Sequence, residues 1–448
     1  PVKLIVVSGD IINGSKNENA DVAKEEISKQ YEVARKFLVA LTKVFLGTDI
    51  KDRLRVVIVP GNHDISRYIS RKSMEPIENE NIDKLVTALW SDNSIIRWSW
   101  KNLQFFNITN KEMYNQRFDD FIEFYNSFYQ GYRSFPADTE AQSELIDFPE
   151  LNIAIACFNS CYQLDHLRMS GYINPRSLSK LTKPLIGVKN DGRLITAVWH
   201  HHTQGLPNEN NYLDYTILDN MTQNGIQIAF HGHQHVSGIL QERKDIFSDA
   251  KLTMISAGSL YGNSADIPFA LTRQYNIIAV DMQNDSCKLT LHSREDCTAL
   301  NTMPAWDCGN VGRSKKESFE INVKLPHKFE KNPVEIVEDE INKINLFIEQ
   351  TQDYSRGLEM LKNLDINNLM VRKFILDISL RIDDYDTIRE LFSDPRTIDE
   401  AFAIIDICTK LKDLETFMIV LQSKFVSASK DASLKVLVED AKVQLKLK

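Results

Sequence analysis

The sequence predicts a layered α/β domain followed by an all-α domain, and three observations predict it. Apolar runs at residues 2–7, 56–59, 194–199 and 226–230 each end in polar residues or histidines. Strands covered on both faces read this way and deliver side chains at their carboxyl ends. Between the first two runs, Ile27, Tyr31, Ala34, Phe37, Leu38, Leu41, Val44 and Phe45 form one helical stripe over residues 20–46. From about residue 333 the strand signals stop and Leu, Ile, Glu, Lys and Asp dominate.

The first strand, helix and second strand make a parallel βαβ unit, whose crossover is right-handed. Residues 68–143 break the rhythm with Trp90, Trp98, Trp100, Phe105, Phe106 and an amphipathic segment over 117–132. They read as a mostly helical insertion, a cap over the site, with the tryptophans packed inside it. Strand patterns resume at 145–148 and 152–158, separated by Pro149 in a tight turn. Helices are expected from Asn174 to about 185 and over 213–223, and short strands at 252–255, 276–280 and 288–292. The α/β domain thus spans 1–295. Residues 296–332 read as a linker in which Arg313, Lys315 and Lys316 are a solvated basic cluster. The helical domain, 333–448, shows patterns at 336–350, 355–364, 367–381, 385–392, 398–411 and 414–426. Asp383-Asp384, Asp394-Pro395 and Lys412-Asp413 are its turns.

The bulk numbers narrow the class. A chain of 448 residues needs more than one core. A net charge of -9 argues against a broad nucleic-acid surface, and 43% apolar with 26% charged residues is an ordinary globular balance. No apolar run approaches the ~20 residues that span a membrane. Cys157, Cys161, Cys287, Cys297, Cys308 and Cys408 are too sparse for a disulfide framework and lack zinc spacing, so reduced thiols in a cytoplasmic protein are expected. The chain opens at Pro1 directly on a strand, and a preceding segment is expected.

The chemistry lies at the strand exits. His231, His233 and His235 put three imidazoles within five residues, with Gly232 allowing a tight turn. In an extended chain His233 and His235 point to opposite faces, which suits two ions side by side. Asp10, Asn62, His63 and His200 stand one to five residues past other predicted strands. A carboxylate can bridge two cations, and mixed nitrogen and oxygen ligands suit Mn, Fe, Zn or Ni better than Mg or Ca. Two ions roughly 3.5–4 Å apart clamp both oxygens of an in-line phosphoryl displacement and generate hydroxide near neutral pH. His63, beside Asn62, would point into the cleft as a general acid. His166, His292 and His327 have no partners by spacing and read as structural or surface residues.

Gly9-Asp10, Gly61-Asn62-His63-Asp64, His200-His201 and Gly232-His233-Gln234-His235 occur in the order and spacing of the calcineurin-like metallophosphoesterases. The chain resembles that family over roughly residues 1–295, and its look is nearest to the bacterial cyclic-nucleotide phosphodiesterase branch. The resemblance implies a layered β-sandwich-type core, α/β/β/α. It implies that Asp10 bridges two divalent transition-metal ions, manganese foremost. Asn62, His200 and His233 then hold the second ion and His235 the first, and His63 is the catalytic histidine. His201, Asp64 and His231 would stand on the substrate side or behind the ligands, and Gly258-Ser259 resembles a turn near the site. The family's first Asp-x-His motif, which supplies two ligands to the first ion, is absent. It is expected in residues before Pro1.

The expected function is hydrolysis of a phosphodiester, in a nucleotide or nucleic acid, with the helical tail available to a protein partner and no membrane role. The alternative is a metal-poor scaffold on the same fold whose tail recruits a protein partner. A third reading joins both, with the tail coupling the enzyme to a larger assembly.

Overall fold

The computed structural model describes residues 1–78, 81–91, 94–204, 212–214, 216–243, 251–261, 267, 271–298, 305–312, 316–328 and 333–447. Arg313 and Lys315 of the expected basic cluster lie outside the described residues. The chain divides into two compact units, Pro1–Phe329 and Glu330–Lys448. Among the described residues no helix is long and apolar enough to cross a membrane.

A six-stranded sheet organises the first unit. Its order is Gly238–Arg243, Lys251–Ser256, Ile228–His231, Leu194–Val198, Ile153–Phe158 and Ser143–Phe148. The four inner strands are parallel, and the two outer strands run antiparallel to their neighbours. Alternation along the strands sorts the core into two faces. Ala154, Ala156, Phe158, Ile195, Ala197 and Trp199 pack with Leu178, Leu181, Leu185 and Met221 from the helices Pro175–Asn190 and Thr216–Gln223. Ile155, Cys157 and Val198 point the other way, onto Val57 and Val59.

That opposite layer holds the parallel pair Ile5–Val7 and Val56–Ile58. Its outward residues, Val56 and Ile58, pack with Ile27, Tyr31 and Leu38 of the helix Ala20–Phe45 and with Phe121, Phe124 and Phe128 of Asp119–Tyr129. The same layer holds a four-stranded antiparallel sheet, in which Ser286–Asp296 pairs with Gln274–Met282, Trp306–Gly309 and Ser318–Lys324. Cys287, Leu289 and Leu291 bury against Leu194, Ile228 and Ile255. The layers run helix, sheet, sheet, helix.

Two regions differ from the sequence reading. Residues 296–332, read as a linker, contain two strands of that antiparallel sheet. In Ser318–Lys324 the alternating Ile321 and Val323 are buried, a period-two signal hidden by the flanking charges of Lys315, Lys316 and Glu317. Residues 68–143, read as mostly helical, include a three-stranded antiparallel sheet of Met74–Pro76, Ile96–Ser99 and Gln104–Ile108, beside the helices Ile82–Leu89 and Lys111–Asn115. Trp98 packs on Phe105, but Trp90 and Trp100 are exposed rather than core residues, because they sit at a helix end and a hairpin tip. The region is pinned by a buried ion pair between Arg97 Nε and Asp165 Oδ2 (2.6 Å), with Tyr114 also donating to Asp165.

The second unit holds only helices and their connections among its described residues; each helix from Pro333–Thr351 to Leu414–Gln422 packs on the next in chain order, and Ala432–Gln444 packs on Ile398–Leu411. Asp353, Asn368, Asp384, Thr397, Asp413, Ser423 and Asp431 each accept a backbone N–H of the helix they precede. Asp383 and Lys412, at left-handed φ of 54° and 56°, close the turns expected at those positions.

Candidate metal centre

Four strand exits meet on one edge of the two central layers: those of Ile5–Val7, Val56–Ile58, Leu194–Val198 and Ile228–His231. Two glycines let the first two loops close on each other. A Cβ on Gly61 would collide with the Asp10 carboxylate, and one on Gly9 (φ +91°) would stand 2.6 Å from His200 Nδ1. Asp10, His233 and His235 have φ of 54°, 71° and 57°. Non-glycine residues seldom adopt this region, and such strain concentrates at ligand clamps.

Their polar atoms converge. Around His200 Nε2 stand Asn62 Oδ1 at 2.8 Å, Asp10 Oδ2 at 3.3 Å and His233 Nδ1 at 3.3 Å. His233 Nδ1 is also 3.0 Å from Asn62 Oδ1. His200 Nδ1 lies 2.7 Å from the Ser8 carbonyl, which can only accept, so Nδ1 carries a proton. In neutral His200 the Nε2 lone pair therefore faces two acceptor oxygens, and nothing but a cation satisfies all of them. Ligand atoms about 2.1 Å from one ion stand roughly 3 Å apart, and the separations here run from 2.8 to 3.3 Å. The set fits one divalent cation. Among the described residues no three His, Cys, Asp or Glu side chains form such a group by themselves; the Asn62 amide oxygen completes this one.

The electrostatics agree. Burial would raise the Asp10 carboxyl, but the charge and hydrogen bond of His200, then His63, hold it well below the usual carboxylate range. Burial opposes charge on His200 too, yet Asp10 and the Ser8 carbonyl raise it above an ordinary histidine. A proton shared there occupies the place a metal ion would take. Burial and the charge of His200 push His233 down to about 3, which keeps it a neutral ligand.

Asn62–Asp64 is a single 3₁₀ turn, not an extended segment. The His63 N–H donates to Asp10 Oδ1 (2.9 Å) and its Nδ1 donates to the Asn13 carbonyl (2.9 Å), which leaves Nε2 as the free ring nitrogen. His63 is half-buried. His233 and His235 are likewise in a left-handed turn, so the opposite-faces argument from an extended chain fails for them. His235 stands close enough for its charge to act on His233.

Three expected companions are placed behind the ligands. Asp64 is buried and accepts from the Gly61 N–H (2.8 Å), the Ile11 N–H (3.2 Å) and the Tyr31 hydroxyl (3.0 Å), tying both ligand loops to the long helix. Burial and the Asp10 charge push it up to about 7. The Ser160 hydroxyl takes the N–H groups of His200 and His201 and meets His201 Nδ1 at 2.8 Å, while His201 Nε2 is buried without a hydrogen-bond partner. His231 packs edge-on to His202 at 4.6 Å, and burial pushes it down to about 3. Sequence reasoning missed Ser8, Asn13 and Ser160, which fix the rings. Ser8 and Ser160 follow strands directly, and that position was the available signal.

The family model for calcineurin-like phosphoesterase matches residues 1–237, and all four converging donors lie inside that span. The chain belongs to the calcineurin-like phosphoesterase family. Calcineurin-like phosphoesterases hydrolyse phosphoesters with divalent metal ions, and the donor set here suits that chemistry. The match ends before the antiparallel sheet of 274–324 and the helical unit. No curated protein matches the chain.

Proposed function

We propose that this chain is a phosphodiesterase acting on a nucleotide or nucleic-acid phosphodiester, with two divalent transition-metal ions, manganese foremost. The observation that carries the reading is the meeting of Asp10, Asn62 and His233 donors within 3.3 Å of His200 Nε2. Asp10, Asn62, His200 and His233 would hold one ion, and Asp10 and His235 would be this chain's ligands to the other. The ions, when bound, lower the pKa of water and neutralise charge on the phosphoryl oxygens.

The chain's own side chains do the rest. His63 Nε2 passes a proton to the departing alkoxide, and the Asn13 carbonyl and Asp10 carboxylate fix its orientation. His201, with no exposed surface, supports His200 and His233 rather than touching substrate. Asp64 and His231 hold the ligand loops in place. Residues 1–295 carry the chemistry, and the helical segment 333–448 is the surface for a protein partner. The test is hydrolysis of bis-p-nitrophenyl phosphate with added Mn²⁺ by the intact chain. Turnover that is lost on chelation supports the reading. A chain that binds no metal and leaves the ester intact is a scaffold instead.

A further inference from the structure

Beside the candidate metal centre lies a set of arginines with no partner among the described residues. The helix Arg67–Lys72 begins three residues after the Asn62–Asp64 turn. Ser70 in it bonds His166 Nδ1 (2.9 Å) and accepts the His166 N–H (3.3 Å), which fastens the 165–168 loop to the helix. A few residues on, Gly171 lies against the His201 ring, where a Cβ would strike it. The His201 ring is 4.9 Å from that of His233. Helix and loop thus flank the site, and Arg67 and Arg71 stand one turn apart on the helix that leaves it.

The charge count is one-sided. Asp165, the carboxylate of this loop, is consumed: one oxygen takes Arg97 and Tyr114, the other the N–H groups of Leu167 and Arg168. Among the described residues the guanidinium groups of Arg67, Arg71 and Arg168 have no ion pair and no hydrogen-bond acceptor. Arg67 and Arg168 are half-buried and Arg71 is exposed. The charges of Arg67 and Arg71 act on each other and on His166, and that of Asp10 reaches Arg67. Like charges one helical turn apart, one of them half-buried, are unfavourable until an anion joins them, and arginine forks match phosphate.

We propose that Arg67 and Arg71 form an anion subsite beside the candidate metal centre that takes a second, non-reacting phosphate of the substrate. The substrate class is then a small phosphodiester carrying a further phosphate, such as a 5′-phosphorylated dinucleotide. This rests on the phosphodiesterase reading, and the two are tested apart.

The test compares thymidine dinucleotides with and without a 5′-phosphate. Binding is read by titration calorimetry on the chelator-treated chain, so that it does not depend on hydrolysis. Wild type binds the phosphorylated form about tenfold tighter, the worth of one or two charge-assisted hydrogen bonds. Arg67→Gln, and separately Arg71→Gln, whose exposed position spares the fold, abolish most of that preference. Lys72→Gln, an equal charge loss on the same helix, keeps it. No preference in wild type, or an undiminished one in both arginine variants, overturns the subsite. With Mn²⁺ added, an arginine-dependent preference without cleavage leaves the subsite standing and removes the hydrolase reading. Cleavage of both dinucleotides with no such preference does the reverse.

Discussion

In the helical unit, Arg372 gives Nε and Nη2 to the two oxygens of Glu400 at 2.8 Å each, and the Arg396 N–H and Leu391 carbonyl take up remaining capacity. In the candidate metal centre, two oxygens and a second ring nitrogen crowd His200 Nε2 with only one proton to share among them. Both clusters are buried and charged. One is closed, with both Glu400 oxygens facing donors; the other is open, acceptor facing acceptor. A closed cluster stabilises a fold and binds nothing. An open one costs stability by itself and is retained where a ligand completes it.

The contrast can be broken at several points. The largest effect is expected at His63. His63→Ala should lower turnover of bis-p-nitrophenyl phosphate about 10²–10⁴-fold while metal content by mass spectrometry stays as in wild type. Loss of metal together with turnover would instead make His63 a ligand. Next is the closed cluster: Glu400→Gln leaves Arg372 buried without its counter-charge, and urea denaturation followed by circular dichroism should show the helical unit weakened by about 3–5 kcal/mol. A smaller effect is expected at His166. Burial and the neighbouring arginines push it down to about 4 from an ordinary 6.5, so the unfolded chain takes up its proton first. Stability is then fully present above pH 6.5 and falls by about 2–3 kcal/mol as pH drops toward 4. His166→Gln should flatten that part of the stability–pH curve, and an unchanged slope would show that other groups cause it.

How far the sequence carried differs between these parts for physical reasons. The helical unit was legible almost element by element, because its periodicity and its Asp, Asn and Thr caps are local signals. The convergence of the candidate ligands was legible because Asp10, Asn62, His200 and His233 each follow an apolar strand. Their orientation was not: it depends on left-handed turns at Asp10 and His233 and a 3₁₀ turn at His63, which residue spacing does not encode. The strand Ser318–Lys324 was missed because its partner, Ser286–Asp296, lies some thirty residues away and charged flanks masked a short alternation. The surroundings of Arg67 and Arg71 were invisible for a related reason: the 165–168 loop meets their helix only through the contact of His166 with Ser70.

The central claim is that Asp10, Asn62, His200 and His233 hold one divalent cation between them. Titration of Mn²⁺ into the metal-stripped chain tests it most directly. Wild type should bind, and His200→Ala and Asn62→Ala should each bind at least about 100-fold more weakly with the fold intact by circular dichroism. Equal Mn²⁺ affinity in wild type and both variants would contradict the account.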